Sequence, residues 1–217
     1  MKKLLPIIAL ALASTSPGLL AQEDVVTSVN AVGMVRVDLQ RGTLTLLGFP
    51  FNSDSEVVQI EELFGGLPNG TNLFIWSNQQ WDAISKGRGV WGQETIELPR
   101  GASLFVQIPE SSPDEVYEVV ISGEVPDSLS NETTTTLTEL GLTLVSFPYP
   151  VSVNITEAGF SPEPGDTVFV WSDGWISETF SRGSWVPGTT IINPGEGIFY
   201  KSASTKNWDS TKPYLWP

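Results

Sequence analysis

The chain has 217 residues, 25 of them acidic and 11 basic, which gives a net charge of −14, and it contains neither Cys nor His. Thiol nucleophiles, imidazole general bases, Ser-His-Asp triads and the usual zinc sites are therefore excluded. Nucleic acid and anionic membrane surfaces are poor partners for so acidic a protein, because both attract basic surfaces. We expect a protein without catalytic activity, cofactor or disulfide bond.

Residues 1–21 have the pattern of a secretory signal peptide. Two lysines precede an apolar run at residues 4–13 that is too short to span a bilayer, and the small residue Ala21 precedes an acidic segment. We expect cleavage after Ala21, with cleavage after Ala13 as the alternative. The predicted location is extracellular or periplasmic, and no membrane span is expected after cleavage.

Sequence blocks recur along the rest of the chain in the same order, which indicates an internal duplication. We therefore predict a first unit at residues 22–112 and a second unit at residues 113–217. A strand expected at residues 116–122 has a counterpart near the end of the second unit, so the alternative is that each unit closes with the strand after the join. The recurring blocks are residues 44–51 and 142–149, 69–77 and 164–172, 88–91 and 182–185, and 101–106 and 195–200.

In the first unit, apolar segments separated by Gly, Pro, Asn and Asp predict strands joined by tight turns. A helix of two to three turns is expected between Ser53, a candidate N-cap, and the Gly65-Gly66 pair that ends it. The last turn is expected to need Gly101. The predicted strands are residues 25–39, 42–51, 72–76, 80–85, 95–98 and 102–109.

The second unit repeats this pattern with less helix, because residues 154–160 support at most one turn. Asp173-Gly174 is a strong tight-turn pair within its hairpin, and Gly195 corresponds to the glycine of the last turn in the first unit. Residues 128–139, which include a run of Thr, have no match in the first unit and are expected to form a polar loop or an exposed hairpin tip. The predicted strands are residues 167–171, 175–180, 190–192 and 197–202.

These elements predict a mainly β fold of two tandem homologous small β-barrel or β-sandwich units, each with a short helical insert. If the units share strands, they form one pseudo-twofold body instead. With Gly-Asp-Thr-Val-Phe-Val-Trp at residues 165–171 and Asn-Pro-Gly-Glu-Gly-Ile-Phe-Tyr at residues 193–200, the chain resembles an uncharacterised class of secreted bacterial two-repeat β proteins. That class carries no assigned activity, so the resemblance implies a fold and no functional residues.

Tryptophan is in excess, and six of the eight residues fall at equivalent places in the two units. Trp76, Trp91, Trp171 and Trp185 are expected in the cores, since large aromatic residues anchor small β folds that lack disulfides. The third pair, Trp81 and Trp175, lies next to the hairpin turns. The sequence is compatible with either a core or a surface position for these two residues. Exposed rings there would suit a sugar, whose apolar face stacks on an indole while carboxylates and amides bind its hydroxyls. The candidate ligand-binding residues are Trp81, Trp175, Asn78, Asp82 and Asp173.

The acidic residues form no recognisable catalytic pair. A glycosidase needs two carboxyl groups about 5 to 10 Å apart in one cleft, and no motif in the sequence indicates such a pair. No EF-hand ligand spacing is present either. We therefore predict no catalytic residue and no metal site, although carboxylates and turn carbonyls near Asp166, Asp173 and Glu196 leave calcium as an open alternative.

Two functional hypotheses follow. The first is a secreted, non-catalytic structural or surface-interaction protein of unknown ligand, with other surface proteins as partners. The second is a glycan-binding module for extracellular polysaccharide, in which the Trp at each hairpin turn gives each unit its own shallow site. An exposed aromatic patch favours the second hypothesis, whereas buried Trp side chains favour the first.

Overall fold

A computed structural model describes residues 31–53, 55–126, 133–171 and 174–214. The predicted signal peptide and Asp173 lie outside these residues. The described part of the chain consists mainly of strands with one short helix, which confirms the predicted β class. It contains no helix with the length and apolar character needed to cross a membrane.

The described part of the first half contains nine strands and one helix. They are β1 (Val32–Gln40), β2 (Leu44–Gly48), β3 (Val57–Gln59), α1 (Ile60–Phe64), β4 (Asn72–Ser77), β5 (Gln80–Gly87), β6 (Val90–Trp91), β7 (Thr95–Glu97), β8 (Ser103–Gln107) and β9 (Val116–Glu124). Five of these strands form an antiparallel sheet in the order β2-β8-β4-β5-β6. The other four form two-stranded pairs, β1 with β9 and β3 with β7.

The second half repeats this topology strand for strand. Its strands are β10 (Thr133–Thr138), β11 (Gly141–Ser146), β12 (Val153–Asn154), β13 (Thr167–Trp171), β14 (Trp175–Ser181), β15 (Ser184–Val186), β16 (Ile191–Ile192), β17 (Gly197–Ser202) and β18 (Lys206–Thr211). The large sheet has the order β11-β17-β13-β14-β15, and β10 pairs with β18 as β12 does with β16. This correspondence is what a duplicated sequence produces.

The predicted barrel and helical inserts differ from what is observed. Both large sheets are open, because β2 and β6 are the edges of the first and β11 and β15 those of the second. The helix α1 has only five residues, since Val57 and Val58 enter β3 and pair with β7 instead of forming a first helical turn. β-branched residues favour that outcome. The described residues of the second half contain no helix.

The strand pairing shows that β9, which follows residue 112, pairs within the first half. β9 pairs with β1 in a register of nine residue pairs, so the first half closes with the strand that follows the join, which is the alternative given above. Of the segment 128–139, predicted as a polar loop or an exposed hairpin tip, residues 128–132 lie outside the described residues. Residues 133–138 form β10 and pair with β18, in agreement with the preference of β-branched Thr for strands.

Tight turns occur at three of the predicted places, whereas the predicted turn at residues 172–174 lies partly outside the described residues. Asn78 and Gln79 have φ values of 50° and 60°, the conformation of a type I′ turn, whose twist matches that of paired strands. Gly101 and Gly195 have φ values of 88° and 84°. Side chains rarely tolerate that conformation, so the predicted need for glycine at these two positions is confirmed.

Three clusters of buried side chains form the interior. The first lies within the first half and the second within the second half. Trp185 belongs to the second cluster, which confirms the core prediction for this residue, whereas Trp91 is partly buried and packs against the first cluster. Trp76 and Trp171 are only partly buried and pack against the third cluster, which joins the halves. We call this third group the junction cluster, and its buried members are Leu46, Phe105, Leu144 and Phe199.

Candidate functional site

Each large sheet has two apolar faces, because successive side chains of a strand point to opposite sides. In β4, Leu73 packs in the first core, whereas Phe74 and Trp76 pack against the junction cluster. Phe169 and Trp171 of β13 pack against the same cluster from the other half. The second face of each sheet is therefore directed at its repeat.

Two indole groups cross between the halves in a reciprocal manner. The Nε1 of Trp76 donates to the carbonyl oxygen of Leu142 at 2.8 Å, and the Nε1 of Trp171 donates to that of Leu44 at 2.7 Å. The two Trp residues are equivalent in the repeats, and so are the two Leu residues. The halves thus meet through the same patch on both sides, like the subunits of a twofold-symmetric dimer.

Backbone hydrogen bonds between the halves show the same pseudo-symmetry. The amide of Gly48 donates to the carbonyl oxygen of Gly195 at 2.8 Å, and the amide of Ser146 donates to that of Gly101 at 2.7 Å. These donors are again equivalent residues of the repeats, as are these acceptors. Four directional contacts therefore fix the two halves relative to each other.

Trp81 and Trp175 pack on the junction cluster, and their side chains are 45% and 48% exposed. The ring centroid of Trp81 lies 5.7 Å from that of Phe105 and 5.8 Å from that of Phe199, although the two Phe residues belong to different halves. The corresponding distances for Trp175 are 6.1 Å and 5.6 Å. Both Trp rings pack on the same two Phe residues. They therefore lie on one common surface rather than on a separate surface in each unit.

Two apolar clefts open beside these rings, with volumes of about 340 and 440 Å³. Each residue of the smaller cleft has its repeat equivalent in the larger cleft, which adds only Gln107. Trp81 and Trp175 line both clefts, so the clefts are contiguous. We call the surface that they form the aromatic face. The smaller cleft is lined by Trp76, Trp81, Leu142, Phe169, Trp175 and Phe199.

A row of polar side chains crosses each sheet on the side of the aromatic face. In the first sheet, Asn72 is the cross-strand neighbour of both Gln107 and Ser85, and the Oγ of Ser85 donates to the Oδ1 of Asn72 at 2.5 Å. Strand alternation puts these residues on the same side as Phe105 and Trp81. We call them and their equivalents the polar rows. The row of the second sheet is Lys201, Thr167 and Thr179.

The other candidate residues do not join the two Trp rings. Asp82 follows Trp81 in β5 and so faces the opposite side of the sheet, where its Oδ2 accepts from the Oγ of Ser77 at 3.0 Å. Asn78 is exposed at the tip of the hairpin, and Asp173 lies outside the described residues. The structure brings Trp81 to Trp175 but does not bring Asp82 to either ring.

The sequence analysis did not predict the two Phe residues on which both Trp rings of the aromatic face pack. Phe105 and Phe199 lie in segments, residues 102–106 and 197–200, where apolar residues occur at successive positions. Such runs predict strands that are covered on both faces. That signal was available, but it does not tell which of the two faces meets the other half of the molecule.

A buried carboxylate, that of Asp166, stabilises the second half outside the clefts. It accepts hydrogen bonds from the Nζ of Lys206 at 2.6 Å and from the hydroxyl of Tyr200 at 2.7 Å. Burial alone would raise the pKa of Asp166, but these bonds and two backbone amides outweigh it and hold the pKa below its ordinary value. The equivalent residue of the first half is Thr71, so the repeat does not conserve this charge.

The second buried carboxylate, that of Glu178, closes a loop. It accepts from the backbone amides of Gly188, Thr189 and Thr190 at 2.7 to 3.0 Å. Burial acts to raise the pKa of Glu178, and hydrogen bonds from the Thr190 hydroxyl and these amides lower it by more, so the group stays ionised. Its equivalent in the first half is Ile84, which is a core residue. Both carboxylates therefore have structural roles.

The two clefts of the aromatic face have an almost entirely apolar lining. The lining of the two clefts contains no acid, base or nucleophile. Within the described ranges, no group of three or more acidic side chains is arranged to hold a metal ion. No family model, no curated protein and no solved structure matches this chain.

Proposed function

We propose that the chain is a non-catalytic surface-interaction protein whose aromatic face binds a glycan. The observation that carries this proposal is the partial exposure of Trp81 and Trp175. Each of these rings contacts four aromatic neighbours and is thereby held in one orientation. Rings that are ordered before a ligand arrives lose little conformational freedom when it binds.

The exposure of these rings has an energetic cost. Covering a Trp side chain removes about 200 Å² from water. Leaving nearly half of that area exposed forgoes about 2 kcal/mol per ring, at ~25 cal/mol per Å². A purely structural junction would cover the rings, whereas a binding surface recovers this free energy when the ligand covers them.

The surroundings of the rings suit a sugar. The apolar face of a pyranose stacks on an indole, and its hydroxyls need amide and hydroxyl partners, which the polar rows offer on the same sheet faces. The net charge of −14 disfavours a polyanion, so the expected ligand is a neutral polysaccharide.

A protein partner is the second candidate, and one observation favours it. Gln107 is the only polar residue in the lining of the two clefts. Clefts of this kind can receive apolar side chains, and Trp residues often dominate the energetics of protein interfaces.

Substitution of the two exposed rings tests the proposal. In affinity electrophoresis through gels that contain neutral polysaccharides, the wild-type protein should be retarded and its Trp emission should change. Trp81→Ala and Trp175→Ala should each weaken the interaction at least about tenfold, because the ligand then no longer gains the ~2 kcal/mol that covering the exposed part of each ring provides.

Matched controls come from the neighbouring residues of the same strands. Asp82→Ala and Ile176→Ser change side chains next to the two Trp residues but on the opposite face of β5 and β14. Both variants should bind like the wild type. Absence of retardation in every gel, or an equal loss in Asp82→Ala, would contradict glycan binding by the aromatic face.

A further inference from the structure

We propose that the two clefts act as one site for a single elongated, uncharged glycan chain that crosses from one half of the protein to the other. This inference rests on the glycan binding proposed above. It adds the number of ligands and their minimum length, and it supports the lack of charge with a second observation.

The number of ligands follows from the shared rings. Trp81 and Trp175 line both clefts, and both rings rest on Phe105 and Phe199. A sugar that stacks in one cleft therefore covers rings that the other cleft needs. Two independent ligands would compete for the same surface, whereas one chain can occupy both clefts in succession.

The length of the ligand follows from the position of the polar rows. Ser85 lies four residues along β5 from Trp81, and Thr179 lies four residues along β14 from Trp175. At ~3.3 Å per residue, Ser85 and Thr179 are each ~13 Å from the Trp residue of the same strand, whereas Gln107 lines a cleft beside the rings. A ligand that stacks on one of these rings and also bonds to the distant hydroxyl of the same strand must span several sugar units.

The charge of the ligand follows from the composition of the polar rows. Five of the six side chains are uncharged amides or hydroxyls, and the sixth is Lys201, whose repeat equivalent is Gln107. One lysine on a protein with a net charge of −14 is a weak basis for attracting a polyanion. Uncharged hydroxyls are the groups that complement the other five.

Calorimetric titration with neutral β-linked glucose oligomers, from the disaccharide to the hexasaccharide, tests number and length. We expect one hexasaccharide per protein chain and an affinity at least about tenfold above that of the disaccharide. Binding of two hexasaccharides per chain, or equal affinities for the two oligomers, would overturn the single elongated site.

Variants separate one shared site from two independent ones. With one shared site, Trp81→Ala lowers the hexasaccharide affinity of the whole protein while the stoichiometry stays at one. With two sites, the same variant keeps one site of unchanged affinity and the stoichiometry falls from two to one. Ser85→Ala changes an exposed hydroxyl that lies four residues along β5 from Trp81. It should weaken the hexasaccharide several-fold and leave the disaccharide unaffected, and an equal effect on both would overturn the assigned length.

The charge assignment has its own readout. Added salt should have little effect on binding of the hexasaccharide, because neutral hydroxyls form no ion pair with Lys201. If a charged oligomer of uronic acids binds more tightly than the neutral hexasaccharide, and Lys201→Gln removes that preference, the ligand is anionic and this part of the inference is wrong. If no oligomer and no polysaccharide binds at all, the proposed function itself is wrong and the inference with it.

Discussion

Asp166 and Glu178 distinguish two halves that otherwise repeat each other. Hydrogen bonds hold the pKa of both carboxyls below their ordinary values of 3.8 and 4.5, so each group binds a proton less readily in the folded chain than in the unfolded chain. The resulting stabilisation is complete above about pH 5 and is lost as the pH falls through the lowered pKa values. The second half should therefore be the more acid-sensitive one.

The substitution Asp166→Asn tests this expectation. It should lower the free energy of unfolding at neutral pH by about 2–3 kcal/mol, because hydrogen bonds to a charged group contribute ~1.5–3 kcal/mol. It should also flatten the decline of stability in acid. Chemical denaturation at a series of pH values measures both effects, with Asp82→Asn as a control that changes an exposed carboxylate. An acid profile like that of the wild type would contradict the role of Asp166.

The two reciprocal indole hydrogen bonds should contribute equally to the free energy of unfolding. Trp76→Phe and Trp171→Phe each remove one N–H donor that serves a carbonyl of the other half. Each variant should lose about 1 kcal/mol of unfolding free energy, the net contribution of an ordinary hydrogen bond. Urea denaturation should show nearly the same loss in both variants. A loss confined to one of them would argue against equivalent roles.

At the level of elements, the hairpin of β4 and β5 reaches the opposite half through its turn. The Nε2 of Gln79 donates to the carbonyl oxygen of Leu142 at 2.7 Å, and its Oε1 accepts from the Leu142 amide at 3.1 Å. Gln79→Ala should therefore cost about 1–2 kcal/mol. Arg88→Ala is the matched control, since Arg88 has a similar φ of 55° in a tight turn. Denaturation curves that shift equally for both variants would show that the cross-half bonds contribute nothing.

Local signals predicted the elements well where local chemistry decides them. Alternating apolar residues and turn residues gave the hairpins, and positive φ required Gly101 and Gly195. The helix was overestimated because Val57 and Val58 have a pairing partner in β7 that lies far along the chain. The Thr run at residues 133–138 was mistaken for a loop for the same reason, since its partner β18 is distant in sequence.

In the whole molecule, the junction cluster should make the two halves unfold together. The wild type should show a single calorimetric transition. Replacing both Phe105 and Phe199 by Ala should split it into two, because each substitution costs about 3–5 kcal/mol at the junction and leaves both unit cores intact. The control, Ile108→Ala with Ile192→Ala, weakens the two unit cores and should lower the melting temperature without splitting the transition. A single transition in the Phe variant would contradict this account.

The candidate site was predicted only in part, and the reason lies at this largest scale. Trp81 and Trp175 were chosen because they flank hairpin turns, which is a local property. Their polar partners were chosen by sequence proximity, and strand alternation turns Asp82 away from Trp81. The contact between the halves could not be derived from either repeat by itself, because both faces of each sheet are apolar.

Both clefts combine side chains from the two halves, so ligand binding requires the whole molecule. Each cleft takes rings from both sides of the junction, so half a molecule carries its tryptophans but cannot form either cleft. A chain that has been synthesised only as far as β9, or that has been cleaved into separate halves, would not bind the ligand. The duplicated fold thereby restricts ligand binding to full-length molecules whose two halves are correctly packed together. Ligand binding can therefore serve as an assay for such molecules.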